Sequence, residues 1–329
     1  MIISAEELKN KIQINNEIKT KVKKDQDTIN NIILWKDKRK LIIAWPCSMD
    51  FKESLIEYWK KLRQLQEKYD DKVFIVMRAY DSKPRTTVWR KWIIQWWEFW
   101  SEVDRNKWIE KSREIIKELV ENWLAIANEL LYPQLLEHLD DLVSYIAIWA
   151  RNSEYQQHRE IASSVNKAVW MKNPTSWDSK VSANNLIAAR SSQSIFPIWN
   201  LEQNSRWNPY SHIILRWANI EWKSINNIND EFIDKINKNL EESWLQTNYI
   251  IDLNHDNSWK NAELQNENLK KSLSLKNKDK IVWYMIESYI YTWNQKWDPK
   301  NLWSIKKWMS LTDPCIDLNK LEDTIKLIN

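Results

Sequence analysis

LIIAWPCSMD, residues 41–50, sets the frame in which the rest of the chain is read. Leu41 to Ala44 is a short apolar run of the kind that forms a buried strand. It stops at Trp45-Pro46 and is followed by Cys47. Seven more such runs follow: Val73–Tyr80, Leu124–Leu130, Tyr145–Ala150, Ala168–Met171, Ile195–Ile198 extended by His212–Arg216, Tyr249–Leu253 and Ile281–Ile286. Amphipathic helical patterns lie between them, at Glu53–Tyr69, Asp104–Glu121, Gln156–Val165, Asp230–Glu242 and Asn261–Leu275, with a last one at Leu318–Ile328. Eight buried strands alternating with helices predict an α/β fold, a (β/α)8 barrel (TIM barrel) with right-handed crossovers. The expected organisation is a polar helical extension over 1–40 and a catalytic barrel over 41–329, with a hairpin inserted in the sixth unit from Pro197 to Ser211.

The 329 residues include no glycine and 24 tryptophans. An ordinary chain of this length carries about 23 glycines, so tryptophan makes up the deficit. The positions agree: Trp45 ends a strand before proline, Trp96 and Trp97 sit in a polar loop, and Trp123 closes a helical pattern where a left-handed residue is expected. Most of these tryptophans therefore stand in glycine positions. A UGA codon assigned to glycine but translated as tryptophan produces this exchange, as does deliberate editing. Taken literally, each ring forced into a turn or strand end costs about 1–3 kcal/mol.

A composition of 43% apolar and 29% charged residues suits a cytoplasmic globular protein. No apolar run approaches the ~18 residues of a membrane span, and Met1 to Asn10 has no signal-type apolar core. The net charge of +4 is weak grounds for nucleic-acid binding, and the run Lys19 to Lys24 reads as a solvated helix face. Cys47 and Cys315 are too few for a disulfide framework. Each is a packed apolar residue or a working thiolate.

In a barrel the residues after each strand converge on one face. Here these are Cys47, then Lys83 and Arg85, Glu129, Arg151, Lys172, Arg216, His255 and Glu287. Cys47, His255, Glu287 and nearby Asp313 make a mixed S, N, O set suited to a divalent first-row metal. Arg85, Lys91, Arg151, Lys172 and Arg216 make a cationic cluster suited to phosphate and carboxylate. Singly, a histidine is more often a packed group and an arginine a surface ion pair. Their shared placement after successive strands favours a metal enzyme for small phosphorylated acids.

The stretches AWPCSMD (44–50), RAYDSKPRTTVWRKW (78–92), WARNSEYQQHRE (149–160), MKNPTS (171–176), HIILRW (212–217), DLNHDNSWK (252–260), ESYIYTWNQ (287–295) and SLTDPCI (310–316) resemble the class I 3-deoxy-D-arabino-heptulosonate 7-phosphate (DAHP) synthases, in particular the feedback-regulated enterobacterial type. That family has glycine where this chain has Trp45, Trp89, Trp92, Trp149 and Trp217. The resemblance implies condensation of phosphoenolpyruvate with erythrose 4-phosphate at the head of the shikimate pathway, in a cytoplasmic homodimer or homotetramer. It implies a divalent metal (Mn, Fe, Co or Zn) on Cys47, His255, Glu287 and Asp313, and phosphoenolpyruvate on Arg85, Arg151, Lys172 and Arg216. It further implies a substrate site completed by Lys83, Lys91 and Glu129, and Lys172 as a proton donor. Met49-Asp50-Phe51 after PCS, IIQWWEFW (93–100) beyond Lys91, Pro174 and Tyr289 depart from the family pattern without removing an implied ligand. A short N-terminal arm and hairpin imply weak feedback inhibition by aromatic amino acids. A non-catalytic scaffold barrel and an enzyme for another aldose phosphate are the competing functions.

Overall fold

The computed structural model describes residues 2–46, 51–82, 104–122, 124–174, 176, 178–195, 204–220, 223–296 and 304–328. Eight parallel strands close into a barrel: β1 (Lys40–Trp45), β2 (Val73–Arg78), β3 (Ala125–Glu129), β4 (Tyr145–Ile148), β5 (Ala168–Lys172), β6 (Ser211–Leu215), β9 (Tyr249–Asp252) and β10 (Ile281–Glu287). The closure pairs β1 with β10 and sets Trp45 beside Glu287. The intervening β7 (Ala218–Ile220) and β8 (Lys223–Ile225) form an antiparallel hairpin just beyond β6.

Ahead of the barrel lie α1 (Ala5–Lys11) and α2 (Asn16–Ile33). Around the barrel follow α3 (Lys52–Lys68), α4 (Arg105–Glu121), α5 (Leu136–Leu139), α6 (Gln156–Ser164), α7 (Ser179–Ala189), α8 (Asp230–Glu241), α9 (Gln265–Leu273) and α10 (Leu318–Lys326). Four of these, α4, α7, α8 and α10, begin where Asp104, Asp178, Asn229 and Asp317 accept first-turn backbone N–H groups. Alternation along each strand fixes which side chains enter the barrel. Leu41, Ile43 and Trp45 join an interior cluster with Val76, Tyr145, Trp170, Ile250 and Trp283, whereas Ile42 and Ala44 join the larger cluster beneath the outer helices. Ile29, Ile32 and Ile33 of α2 belong to the barrel-interior cluster.

Two sequence expectations are corrected. Ile195 is not in a barrel strand, and the sixth strand is the 211–215 segment alone; Ser194 instead makes an antiparallel bridge to Asn204, at the base of the expected hairpin. Lys21 is not solvated, since α2 turns it inward where it pairs with Asp25 at 2.5 Å. The helix α7 adds an element that the apolar pattern does not announce, because SKVSANNLIAA has little amphipathic contrast.

The backbone speaks directly to the tryptophans. Among the described residues seven have left-handed φ angles, and five of these are tryptophans: Trp35 (55°), Trp207 (125°), Trp244 (57°), Trp259 (49°) and Trp293 (69°). Such angles favour glycine and penalise a Cβ. In the core, the indole N–H groups of Trp59, Trp170 and Trp283 are buried without an acceptor among the described residues, although a buried tryptophan normally finds one. Trp45, Trp149 and Trp217 do not have left-handed angles; what glycine would supply there is space.

Candidate active site

The C-terminal strand ends bring charged residues to one mouth. Arg78 ends β2, Glu129 ends β3, Lys172 ends β5, Asp252 ends β9 and Glu287 ends β10, while Arg216 follows β6 directly. All of these but Arg216 are buried, and Arg216 is nearly so. A parallel strand end inside a barrel can hold such groups only if they pair with one another or with a ligand.

Two sub-sites emerge. In the first, single ligand atoms of His255, Glu287 and Asp313 all lie within 4.8 Å of one another. His255 sits on a tight turn, a 3-10 segment His255–Ser258 entered at φ 48°, the strained kind of backbone often found at functional positions. Its Nδ1 lies 2.8 Å from Asp252 Oδ2 and its Nε2 lies 3.4 Å from Glu287 Oε1. Asn254 donates to Glu287 Oε2 and to the Pro314 carbonyl, fixing the carboxylate against the loop that carries Asp313. Gln265 grips the Glu287 backbone from both sides, donating to its carbonyl at 3.0 Å and accepting from its N–H at 2.9 Å. The set offers one imidazole nitrogen and two carboxylates, which fits a divalent first-row metal better than a thiolate zinc centre.

In the second sub-site, Lys172 Nζ donates to Glu129 Oε1 at 3.1 Å. Burial, joined by the nearby Arg216 and Arg78, lowers Lys172 to about 8 against the pull of Glu129. Arg216 Nε lies 3.7 Å from Asp252 Oδ2, and its backbone N–H is held by Asn173 Oδ1 at 2.9 Å. Burial lowers Arg216 as well. Burial also opposes the charge on Asp252, but His255 and Arg216 outweigh it and hold the carboxyl below its ordinary value. Arg78 reaches to 4.0 Å from Glu287 Oε1, bridging the two sub-sites.

Three of the tryptophans in glycine positions lie on these groups. The Trp45 indole donates to Glu287 at 3.0 Å, stacks on His255 and lies 3.9 Å beneath the Arg78 guanidinium. Trp217 stacks on the same histidine and under Arg216 at 4.0 Å, and Trp149 lies 4.6 Å from Arg151. The Trp45 and Trp217 rings thus lie over His255, Arg78 and Arg216 at the barrel mouth.

Of the sequence-predicted site residues, the structure brings together His255, Glu287 and Asp313, and separately Lys172 with Glu129 and Arg216 with Asp252. Arg151 is exposed on its loop. Cys47, Lys83, Arg85 and Lys91 lie outside the described residues. Cys315 is a fully buried packed thiol, and His158 hydrogen-bonds with the Leu130 carbonyl oxygen at 3.0 Å. Sequence reasoning misses Arg78, Asp252 and Asn254. Asn254 is legible as a polar residue just after an apolar strand run, whereas Arg78 and Asp252 read as parts of their strands.

The family model described as the DAHP synthetase I family matches residues 11–324. The chain is 29% identical to the phospho-2-dehydro-3-deoxyheptonate aldolase, Tyr-sensitive, of Salmonella typhimurium, over all of this chain and 92% of that protein. It is 32% identical to a putative phospho-2-dehydro-3-deoxyheptonate aldolase of Schizosaccharomyces pombe, over 87% of this chain and 78% of the other. Among solved structures, the phospho-2-dehydro-3-deoxyheptonate aldolase of Francisella tularensis superposes with a TM-score of 0.89 at 27% identity, covering 100% of this chain and 96% of that one.

Proposed function

The chain belongs to the DAHP synthetase I family, and from that premise we propose that it joins phosphoenolpyruvate to erythrose 4-phosphate, releasing DAHP and phosphate. The observation that carries the proposal is the meeting of the His255, Glu287 and Asp313 group with the Lys172, Arg216 and Arg78 cations at one barrel mouth.

The two sub-sites divide the work. His255, Glu287 and Asp313, with Cys47 as the fourth ligand, would hold a divalent Mn, Fe, Co or Zn ion, which supplies Lewis acidity to the aldehyde oxygen. Arg216, Arg78 and Lys172, with Arg151, receive the phosphate and carboxylate of phosphoenolpyruvate and offset the charge of two phosphorylated substrates brought together. Arg85 joins these cations at phosphoenolpyruvate, and Lys83, Lys91 and Glu129 complete the substrate site. The nucleophilic C3 of phosphoenolpyruvate forms the new bond to the aldehyde carbon. Water adds at C2, and cleavage of the C2–O bond expels phosphate. Lys172, a buried lysine lowered to about 8 and bonded to Glu129, is suited to give a proton to the developing alkoxide. Residues 41–329 carry this chemistry and 1–40 form the extension; the assembly is a cytoplasmic homodimer or homotetramer. Among the described residues no helix is long and apolar enough to cross a membrane.

The test is to mix the full chain, with glycine at its tryptophan positions, with phosphoenolpyruvate, Mn²⁺ and either erythrose 4-phosphate or arabinose 5-phosphate, following loss of the enol absorbance. Loss with erythrose 4-phosphate is expected. Loss only with arabinose 5-phosphate would move the substrate, and loss with neither would favour a non-catalytic barrel.

A further inference from the structure

We propose that Asp252 is a positioning residue that joins the metal half of the site to its phosphate half, fixing the His255 ring and the Arg216 guanidinium with one carboxylate. The inference rests on the two-substrate reading above and deepens it.

Asp252 is the last residue of β9 and is fully buried. Its Oδ1 accepts the backbone N–H of Asn254 at 3.1 Å, which pins the carboxylate's rotation. That leaves Oδ2 facing two partners, His255 Nδ1 at 2.8 Å and Arg216 Nε at 3.7 Å. The Nδ1 approach is close but off the hydrogen-bond axis. A buried carboxylate is costly unless cations or donors surround it, so the strand end is stable only with both partners in place.

Each partner gains something specific. With its Nδ1 proton directed to Asp252, the His255 ring presents the Nε2 lone pair toward Glu287, on the side where a metal would bind. Arg216 turns its Nε edge to the same oxygen at ion-pair distance, without a hydrogen bond. Because one oxygen serves both, the two halves are coupled. With a metal on Nε2, Nδ1–H would be a stronger donor and would draw more of the Oδ2 charge, leaving Arg216 freer for phosphate. Metal should therefore tighten phosphoenolpyruvate, and phosphoenolpyruvate should tighten metal by the same factor.

The experiment uses the metal-stripped full chain with glycine at its tryptophan positions, alone and as Asp252→Asn. Mn²⁺ affinity is read from the electron paramagnetic resonance of free Mn²⁺, phosphoenolpyruvate affinity from calorimetry with and without Mn²⁺, and the His255 tautomer from ¹⁵N resonances of the four histidines. In Asp252→Asn we expect Mn²⁺ to bind about 10–100-fold more weakly, the Nδ1–H signature to weaken, and Mn²⁺ no longer to tighten phosphoenolpyruvate. Should that variant not fold, Asp252→Glu keeps the charge but misplaces it, and both affinities are expected to fall together. A parent chain that binds both ligands beside a folded variant with unchanged constants overturns the role of Asp252 and leaves the site reading intact. A folded Asp252→Asn in which Mn²⁺ still tightens phosphoenolpyruvate by the parent's factor, whatever its Mn²⁺ affinity, also overturns the joint role. A parent chain that binds neither ligand overturns the site reading and this inference with it.

Discussion

Lys172 gives the site its clearest pH signature. Burial lowers it to about 8, so the free enzyme carries an ammonium there below that pH and a neutral amine above it. Phosphoenolpyruvate needs the cation, and kcat/KM for it should fall as pH rises through about 8. Lys172→Arg, which stays charged, should remove that fall while lowering kcat through loss of the proton donor; an unchanged alkaline limb would show that another group sets it. Arg216→Ala should raise the phosphoenolpyruvate KM by a factor equivalent to at least ~2 kcal/mol, the value of a charge-assisted hydrogen bond lost from a buried site. An effect confined to erythrose 4-phosphate would reverse the placement of the substrates. Residues after strands are legible from spacing alone, as His255 and Glu287 illustrate. Arg78 and Asp252 are not, because Ala79-Tyr80 and Leu253 continue the apolar runs past them, so both read as strand interior until the barrel turns them inward.

The ends of helices and turns carry the case for glycine. Trp244 follows α8 at φ 57° and is 96% exposed, so its indole packs on almost nothing while its backbone bears the left-handed penalty. Trp244→Gly should stabilise the protein by roughly 1 kcal/mol, read as a higher urea midpoint at unchanged slope. A lower midpoint would mean that the indole contributes contacts in solution. Trp259 and Lys260 are consecutive left-handed residues beside the His255 turn, closed by Lys260 N–H donating to the His255 carbonyl at 2.7 Å. Helix starts are legible where a side chain caps them, as at Asp104 and Asp317. The helix α7 and the β7–β8 hairpin are not: the first lacks a polar face, and the second is two three-residue strands, too short to show alternation.

Across the barrel, the eight apolar runs foretell a closed parallel sheet because a strand buried on both faces leaves a continuous signature, and seven of the eight run close to their observed bounds. The sixth run misleads at Ile195, the one of residues 195–198 that is described, because an apolar residue in an insertion has the same composition as one in a strand. What spacing cannot show is the crowding at the barrel mouth, where Trp45, Trp149 and Trp217 lie on the very cations and ligands that the chemistry uses. Glycine at those positions should uncover them and leave a working DAHP synthase. Mn²⁺-dependent consumption of phosphoenolpyruvate with erythrose 4-phosphate, measured side by side for the chain as written and for the chain with glycine at every tryptophan, decides the matter. Turnover is expected from the glycine chain and none from the tryptophan chain; equal turnover by both would contradict the exchange of tryptophan for glycine and the reading of the site that depends on it.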